Sequence, residues 1–280
     1  MKKLLGTIAA VAGVAVIATG AAACGGEAIY VDTNAFFAPF EYYDGTEIKG
    51  VDVDIMELVG EKLGKKVVFE NTDFGVIIDN VSSGKKYDCG AAGITITDER
   101  AEKVAFSNPY YTSVQYVIYK GDTLAVDGTA ADGTEYVLWE SLACKKIGVQ
   151  TDTTGDIYVG DEINANEELP DYDFTGVLYG TNATKTQYDN AQLAVDALKT
   201  AIDVVVVDKL PAEYIVSKNT ADNLKCYALY YDAETATEEQ YAICVTKGNT
   251  ELLNAINEVL KELGEKGINE LVSKHLGLTS

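Results

Sequence analysis

The stretch Gly93-Ile94-Thr95-Ile96-Thr97-Asp98-Glu99-Arg100 ends in the single arginine of a chain that carries 22 lysines and arginines together. Thr97 is a good N-cap and Asp98-Glu99 suit a first helical turn. Arg100 therefore falls about three positions into a new helix, where the helix dipole disfavours a cation by a few tenths to about 1 kcal/mol. A bound anion reverses that balance. A helix N-terminus offers free backbone N–H groups, and a guanidinium adds a planar pair of donors that matches a carboxylate. Lysine supplies the charge without the two-pronged geometry. Spacing alone leaves two readings of Arg100 open: an anion clamp, or a pair with Asp98, Glu99 or another carboxylate. The other reactive residue types are sparse. Cys89, Cys144, Cys226 and Cys244 show no C-x-x-C spacing, and the lone histidine, His275, has no partner cluster, so no metal and no cofactor is expected. Spacing does not fix a disulfide connectivity for the four thiols, and small buried thiols are the plainer expectation.

Arg100 has to be positioned by elements, and the composition sets their scale. At 280 residues and 47% hydrophobic, the chain can bury one large core or two modest ones. A net charge of -22, spread along the chain, excludes nucleic acid as a partner and is repelled by an anionic membrane surface. Met1-Lys2-Lys3 followed by the apolar, small-residue run Leu4 to Gly20 reads as a secretory signal. Ala21-Ala22-Ala23-Cys24 then resembles a lipobox, in which residues 1–23 are removed and Cys24 becomes the lipidated first residue. Simple cleavage is one alternative. An uncleaved anchor is another, since Leu4 to Ala23 is long enough to span a bilayer.

Ile29-Tyr30-Val31 reads as a strand broken by Asp32-Thr33-Asn34. Pro39 bars a regular helix from the aromatic stretch Phe36 to Tyr42. Val53, Ile55, Met56, Val59 and Leu63 recur at helical spacing and Gly64 ends that helix. Lys66 to Glu70 reads as a strand, Phe74 to Val81 as a helix stopped by Ser-Ser-Gly, and Cys89 to Ile96 as a buried strand with its exit. This alternation predicts an α/β domain with a largely parallel sheet. Tyr110 to Tyr119 is a long strand suited to crossing into a second lobe. There Lys146 to Gln150 is a strand, Gln192 to Lys199 a helix and Ile202 to Asp208 a buried strand. Asp161 to Asn190 reads as an acidic surface excursion. Tyr241 to Val245 is the return strand, and Thr250 to Leu276 is helical with a break near Gly264 to Gly267. Two α/β lobes joined by two crossings place a cleft between them, where ligands bind.

Seven motifs in order carry a resemblance over nearly the whole mature chain. They are Thr33 to Tyr42 (TNAFFAPFEY), Gly50 to Ile55 (GVDVDI), Asp73 to Ile78 (DFGVII), Ala92 to Arg100 (AGITITDER), Phe106 to Tyr111 (FSNPYY), Val149 to Asp156 (VQTDTTGD) and Val206 to Tyr214 (VVDKLPAEY). The chain resembles the family 3 solute-binding proteins, the extracytoplasmic amino-acid-binding proteins of ABC importers. The resemblance implies a two-lobed periplasmic-binding-protein-like (type II) α/β clamshell with a two-strand hinge. Lobe 1 would be residues 25–116 plus 241–280, and lobe 2 residues 117–240.

Carried over residue by residue, Arg100 is similar to the clamp on the ligand's α-carboxylate, with Gly93 and Thr95 adding contacts from the same lobe. Asp208 matches the acid that binds the α-ammonium, a role a rigid strand end suits; outside this motif set it would be an ordinary turn aspartate. Thr153 and Thr154 match the second-lobe loop that closes on the carboxylate, where Asp152 departs from a common glycine. Phe37 and Phe74 match the aromatic pair that sandwiches the ligand side chain, although core packing is the usual fate of a phenylalanine. Asn34 stands where some relatives that handle basic amino acids carry an acid, so the implied ligand is a neutral polar L-amino acid. The implied protein is a monomer that is lipid-anchored on the outer face of the membrane and delivers a free amino acid to an ABC permease. It is not an enzyme. The rivals are a sensor module for a signalling receptor and a dehydratase on the same fold, which would need a general acid or base in the cleft, where no histidine is available and Glu41 is left as the candidate.

Overall fold

Two sheets organise the computed structural model of the chain, which describes residues 28–166 and 174–278. The signal-type run and Cys24 lie outside the described residues. The smaller sheet runs Val67–Asn71, Ile29–Thr33, Cys89–Gly90, Cys244–Val245, Ala105–Phe106. Its first three strands are parallel and its last two pair antiparallel, so only half of it follows the expected parallel pattern. The larger sheet runs Thr184–Tyr188, Lys146–Gln150, Val204–Asp208, Tyr111–Lys120, Leu224–Tyr230, Glu135–Leu138, Gly128–Thr129. Val204 to Val207 are buried on both faces, which is why that strand reads as an unbroken apolar run.

The strand Tyr111–Lys120 belongs to both halves of the molecule. Its first residues pair antiparallel with Glu238–Tyr241, from Val114 opposite Glu238 to Tyr111 opposite Tyr241. Its remainder lies at the centre of the larger sheet, with Gln115 directly opposite Asp208. The two crossings therefore lie side by side, and the register alone sets Gln115 beside the strand-end aspartate on one face.

The helix Val51–Leu63 forms as its apolar spacing requires, burying Val53, Ile55, Met56 and Val59 and ending at Gly64 in the left-handed conformation. Its first two free N–H groups, on Val51 and Asp52, are taken by the carbonyls of Pro39 and Phe40, which fixes the aromatic loop against the helix. The helix Thr250–His275 is interrupted at Gly264, as the glycines suggest.

Several sequence expectations differ from the fold. Asp32 and Thr33 continue the first strand rather than break it, because their buried side chains find partners: Thr72 and Asn80 donate to Asp32, and Thr33 donates to the Ala91 carbonyl. Of the expected Cys89 to Ile96 strand only Cys89–Gly90 forms a strand, with Thr95 bridging to Tyr241 after the chain turns through Gly93. Residues 161–190 are not merely a surface excursion: Leu178 is fully buried and Thr184–Tyr188 is the edge strand beside Lys146–Gln150. Its polar, exposed side chains hide the strand pattern. Tyr241 to Val245 is not one strand but the end of Glu238–Tyr241 followed by Cys244–Val245. The four described cysteines are free. Cys89 and Cys244 lie on paired strands, but Cys244 stands opposite Gly90 and Cys89 opposite Val245, so alternation turns the two thiols to opposite faces.

Candidate functional site

Thr97 caps the six-residue helix Asp98–Lys103, its side chain accepting from the Arg100 N–H at 3.2 Å. This places the Arg100 guanidinium, almost fully buried, between the lobes. Nη1 donates to the Thr95 carbonyl and Nη2 to the Asp152 carbonyl in the turn after Lys146–Gln150, each at 2.9 Å, with Cζ 5.4 Å from the centre of the Phe74 ring. Burial draws its pKa below the ordinary value, and the nearby Glu239 carboxylate opposes that. Neither Asp98 nor Glu99 forms a salt bridge with Arg100 among the described residues, which leaves the local ion-pair reading without support.

Asp152 adopts the left-handed conformation, φ 61°, that a glycine would take at this turn. Aspartate tolerates that region better than most residues. Its N–H donates to Asp156 Oδ2 at 2.9 Å, and Asp156 in turn is paired with Lys185 Nζ at 2.5 Å. The departure from glycine therefore keeps the loop's turn and leaves its carbonyl facing Arg100. Thr153 caps the helix Thr154–Ile163 and donates to the Gln150 carbonyl at 2.8 Å.

Behind this gate lies a narrow cavity of about 10 Å³, closed down to the size of a water molecule and lined by Asn34, Phe37, Phe74, Gly93, Thr95, Gln150, Thr153, Thr154 and Asp208. It gathers every expected site residue except Arg100, which lines the outer cleft beyond Phe74, together with Asp152 and Lys185. Gly93 has φ 54°, and a Cβ there would stand 2.8 Å from the Phe37 ring, so a side chain would close the cavity wall. Its N–H donates to Asp52 Oδ2 at 2.9 Å, and the Tyr110 hydroxyl donates to Asp52 Oδ1 at 2.5 Å. Burial pushes the Asp52 carboxyl up to about 6 despite those two donors.

Hydroxyls and amides join the walls. Thr154 Oγ1 donates across the cleft to Thr95 Oγ1 at 2.7 Å, and Thr95 donates to Glu239 Oε2 at 2.5 Å. Gln115 Nε2 donates to both Glu239 and Asp208. Asn34 Nδ2 donates to the Thr72 carbonyl and Asn34 Oδ1 accepts from Gln150 Nε2 at 3.0 Å, which leaves Gln150 Oε1 buried without a protein partner. A buried acceptor of that kind favours a ligand that brings a donor.

Residue-level reading did not single out Gln150, which lines the cavity, or Gln115 and Glu239, which bond to its lining residues Asp208 and Thr95. Gln115 carried a usable signal, being the one long polar side chain inside the run Tyr111 to Tyr119. Glu239 carried none, since its neighbours Glu238 and Gln240 are polar too. Among the described residues no group of three histidine, cysteine or acidic side chains is placed to hold a metal. Anion donors at one end, a buried carboxylate at the other and two phenylalanines between them suit capture of a small zwitterion.

A sequence profile of the bacterial extracellular solute-binding proteins, family 3, matches residues 29–278. The "Arginine-binding extracellular protein ArtP" of Bacillus subtilis (strain 168) is 28% identical, covering 98% of this chain and 97% of its own. Two solved structures are each 31% identical, over 89% of this chain and 98% of theirs: an ancestral arginine-binding protein bound to glutamine, TM-score 0.70, and one bound to arginine, TM-score 0.71.

Proposed function

Because the chain belongs to the bacterial extracellular solute-binding proteins, family 3, which bind amino acids for ABC transporters and are not enzymes, we propose that it captures a neutral polar L-amino acid. The cavity between the sheets carries this reading. Asp208, the one carboxylate among its lining residues, takes the α-ammonium. Arg100 and the N–H groups at Thr153 and Thr154 take the α-carboxylate, with Thr95 beside them. Asn34 and Gln150 form the side-chain end, where an amide pair with one unpartnered acceptor matches a glutamine-like carboxamide. A cationic side chain is the second reading, supported by the similar ancestral protein, which has been solved with arginine as well as with glutamine.

The wider proposal is a clamshell with residues 25–116 and 241–280 as one lobe and 117–240 as the other. Three hydrogen bonds, Arg100 to Asp152, Thr154 to Thr95 and Gln150 to Asn34, join surfaces that separate on opening. The ligand is gripped from both lobes, by Arg100, Thr95 and Asn34 on one side and by Asp208, Thr153, Thr154 and Gln150 on the other, so binding energy drives closure. Lipid on Cys24 keeps the monomer beside a permease that reads the closed form. Calorimetric titration with the twenty amino acids tests the reading: one or a few saturable ligands are expected, glutamine-like before arginine-like. Silence from all twenty at millimolar concentration sinks it. A tighter fit for arginine replaces the neutral assignment with the cationic one.

A further inference from the structure

Two carboxylates share one amide at the hinge. Gln115 Nε2 donates to Asp208 Oδ1 at 2.9 Å and to Glu239 Oε1 at 2.5 Å, and both acids are 4% exposed. Asp208 ends a strand of the larger sheet, whereas Glu239 lies on the crossing strand Glu238–Tyr241. Among the described residues neither acid has a lysine or arginine within ion-pair distance. Arg100, which feels the field of both acids, donates to two backbone carbonyls instead. A third carboxyl, Glu41 on the strand Glu41–Asp44, is fully buried with no protein partner for either oxygen, and burial holds it well above the usual carboxylate range. The phenols packed around the pair, Tyr111, Tyr158, Tyr231 and Tyr241, are pushed above their ordinary range by burial and stay neutral. Two like charges side by side in a dry site cannot both persist unpaired.

We propose that Glu239 is a further functional residue of the site, a hinge carboxylate that keeps a proton on Asp208 in the ligand-free protein, so that the ammonium of an arriving amino acid displaces that proton to solvent. Burial first and the neighbouring Glu239 second hold the Asp208 carboxyl well above the usual range, in keeping with this. The step balances: Asp208 loses H⁺ to water, the resulting carboxylate pairs with the –NH3⁺ group, and no covalent bond other than O–H is broken. The inference rests on the reading of Asp208 as the ammonium partner. Protons leave on binding, so affinity rises with pH over the range in which ligand-free Asp208 is protonated.

The test is titration calorimetry with L-glutamine and L-arginine at pH 7, in phosphate and in Tris, whose ionisation heats differ. The dependence of the binding heat on the buffer counts protons released. The wild-type protein is expected to release more than about half a proton per ligand. Glu239→Gln removes the second carboxylate and keeps one acceptor oxygen, for Thr95 or for Gln115 but not for both, and its release falls toward zero while binding persists. Glu41→Gln leaves the release unchanged. No release from the wild-type protein overturns the proposal whether or not the variants fold. Undiminished release in Glu239→Gln, or its loss in Glu41→Gln, overturns it too. Absence of any binding heat for either amino acid, in either buffer, refutes instead the underlying reading of the cavity.

Discussion

Arg100 shows how a locally unfavourable residue becomes sensible in tertiary context. Its guanidinium bridges the Thr95 and Asp152 carbonyls, one from each side of the cleft. Lysine offers one ammonium centre for those two acceptors and a ligand carboxylate. Arg100→Lys is expected to weaken amino-acid binding by about 1.5–3 kcal/mol, the scale of a charge-assisted hydrogen bond. Calorimetry checks this, and unchanged affinity would return Arg100 to a packing role. Asp52 makes a prediction of opposite character, on stability. Its folded-state pKa of about 6 lies above its ordinary value of 3.8, so the folded protein retains a proton that the unfolded chain releases. The stabilisation is fully present below the unfolded value and is lost as pH rises through about 6. Relative to Asp52→Asn, wild-type stability should fall by up to about 3 kcal/mol between pH 4 and pH 7. Urea unfolding of the two proteins at both pH values measures that difference, and parallel profiles would contradict the burial argument.

At the scale of elements, the site is made by turns that enter helices and by one strand register. Two short caps, Thr97 and Thr153, aim their helix N-termini at the cleft from opposite sides. Closure is tight where the loops meet: a Cβ at Gly75 would stand 2.0 Å from Asp152 Oδ2 and 3.0 Å from its Cγ. Gly75 sits in lobe 1 and Asp152 in lobe 2 of the proposed division, so this clash belongs to the closed form. Gly75→Ala is therefore expected to reduce affinity several-fold, about 1 kcal/mol, while leaving the ligand-free melting temperature unchanged. Equal losses in both quantities would instead mean that the glycine serves the fold of its own lobe.

For the whole molecule, the bonds that span the cleft are few, and in the proposed clamshell a bound amino acid supplies the rest of the closing energy. A ligand that binds only the folded state at 100 times its Kd adds about 2.7 kcal/mol, which in a chain of this size raises the melting temperature by on the order of 5 °C. A thermal-shift series with the twenty amino acids reads this directly. The shift should track the calorimetric affinities and vanish in Asp208→Asn, where the ammonium loses its countercharge. A shift retained in full by that variant would move the ammonium site elsewhere.

Much was legible from sequence because local physics decided it. The spacing of Val53, Ile55, Met56 and Val59 determined a helix and its buried face, Thr97 determined where the Arg100 helix begins, and the valines before Asp208 determined a strand buried on both sides. The ordered motifs determined which loops converge. What tertiary structure alone decided are the relations that depend on register and closure. Gln115 meets Asp208 only because two strands far apart in sequence pair at that register. Glu239 meets Thr95 and Gln115 because the return crossing lies beside the first. Thr184–Tyr188 is a strand because an edge accepts polar side chains on its exposed faces, a pattern that sequence shares with a loop. Local propensity reaches a few residues along the chain, whereas the cavity is assembled from contacts between residues 59 to 144 positions apart.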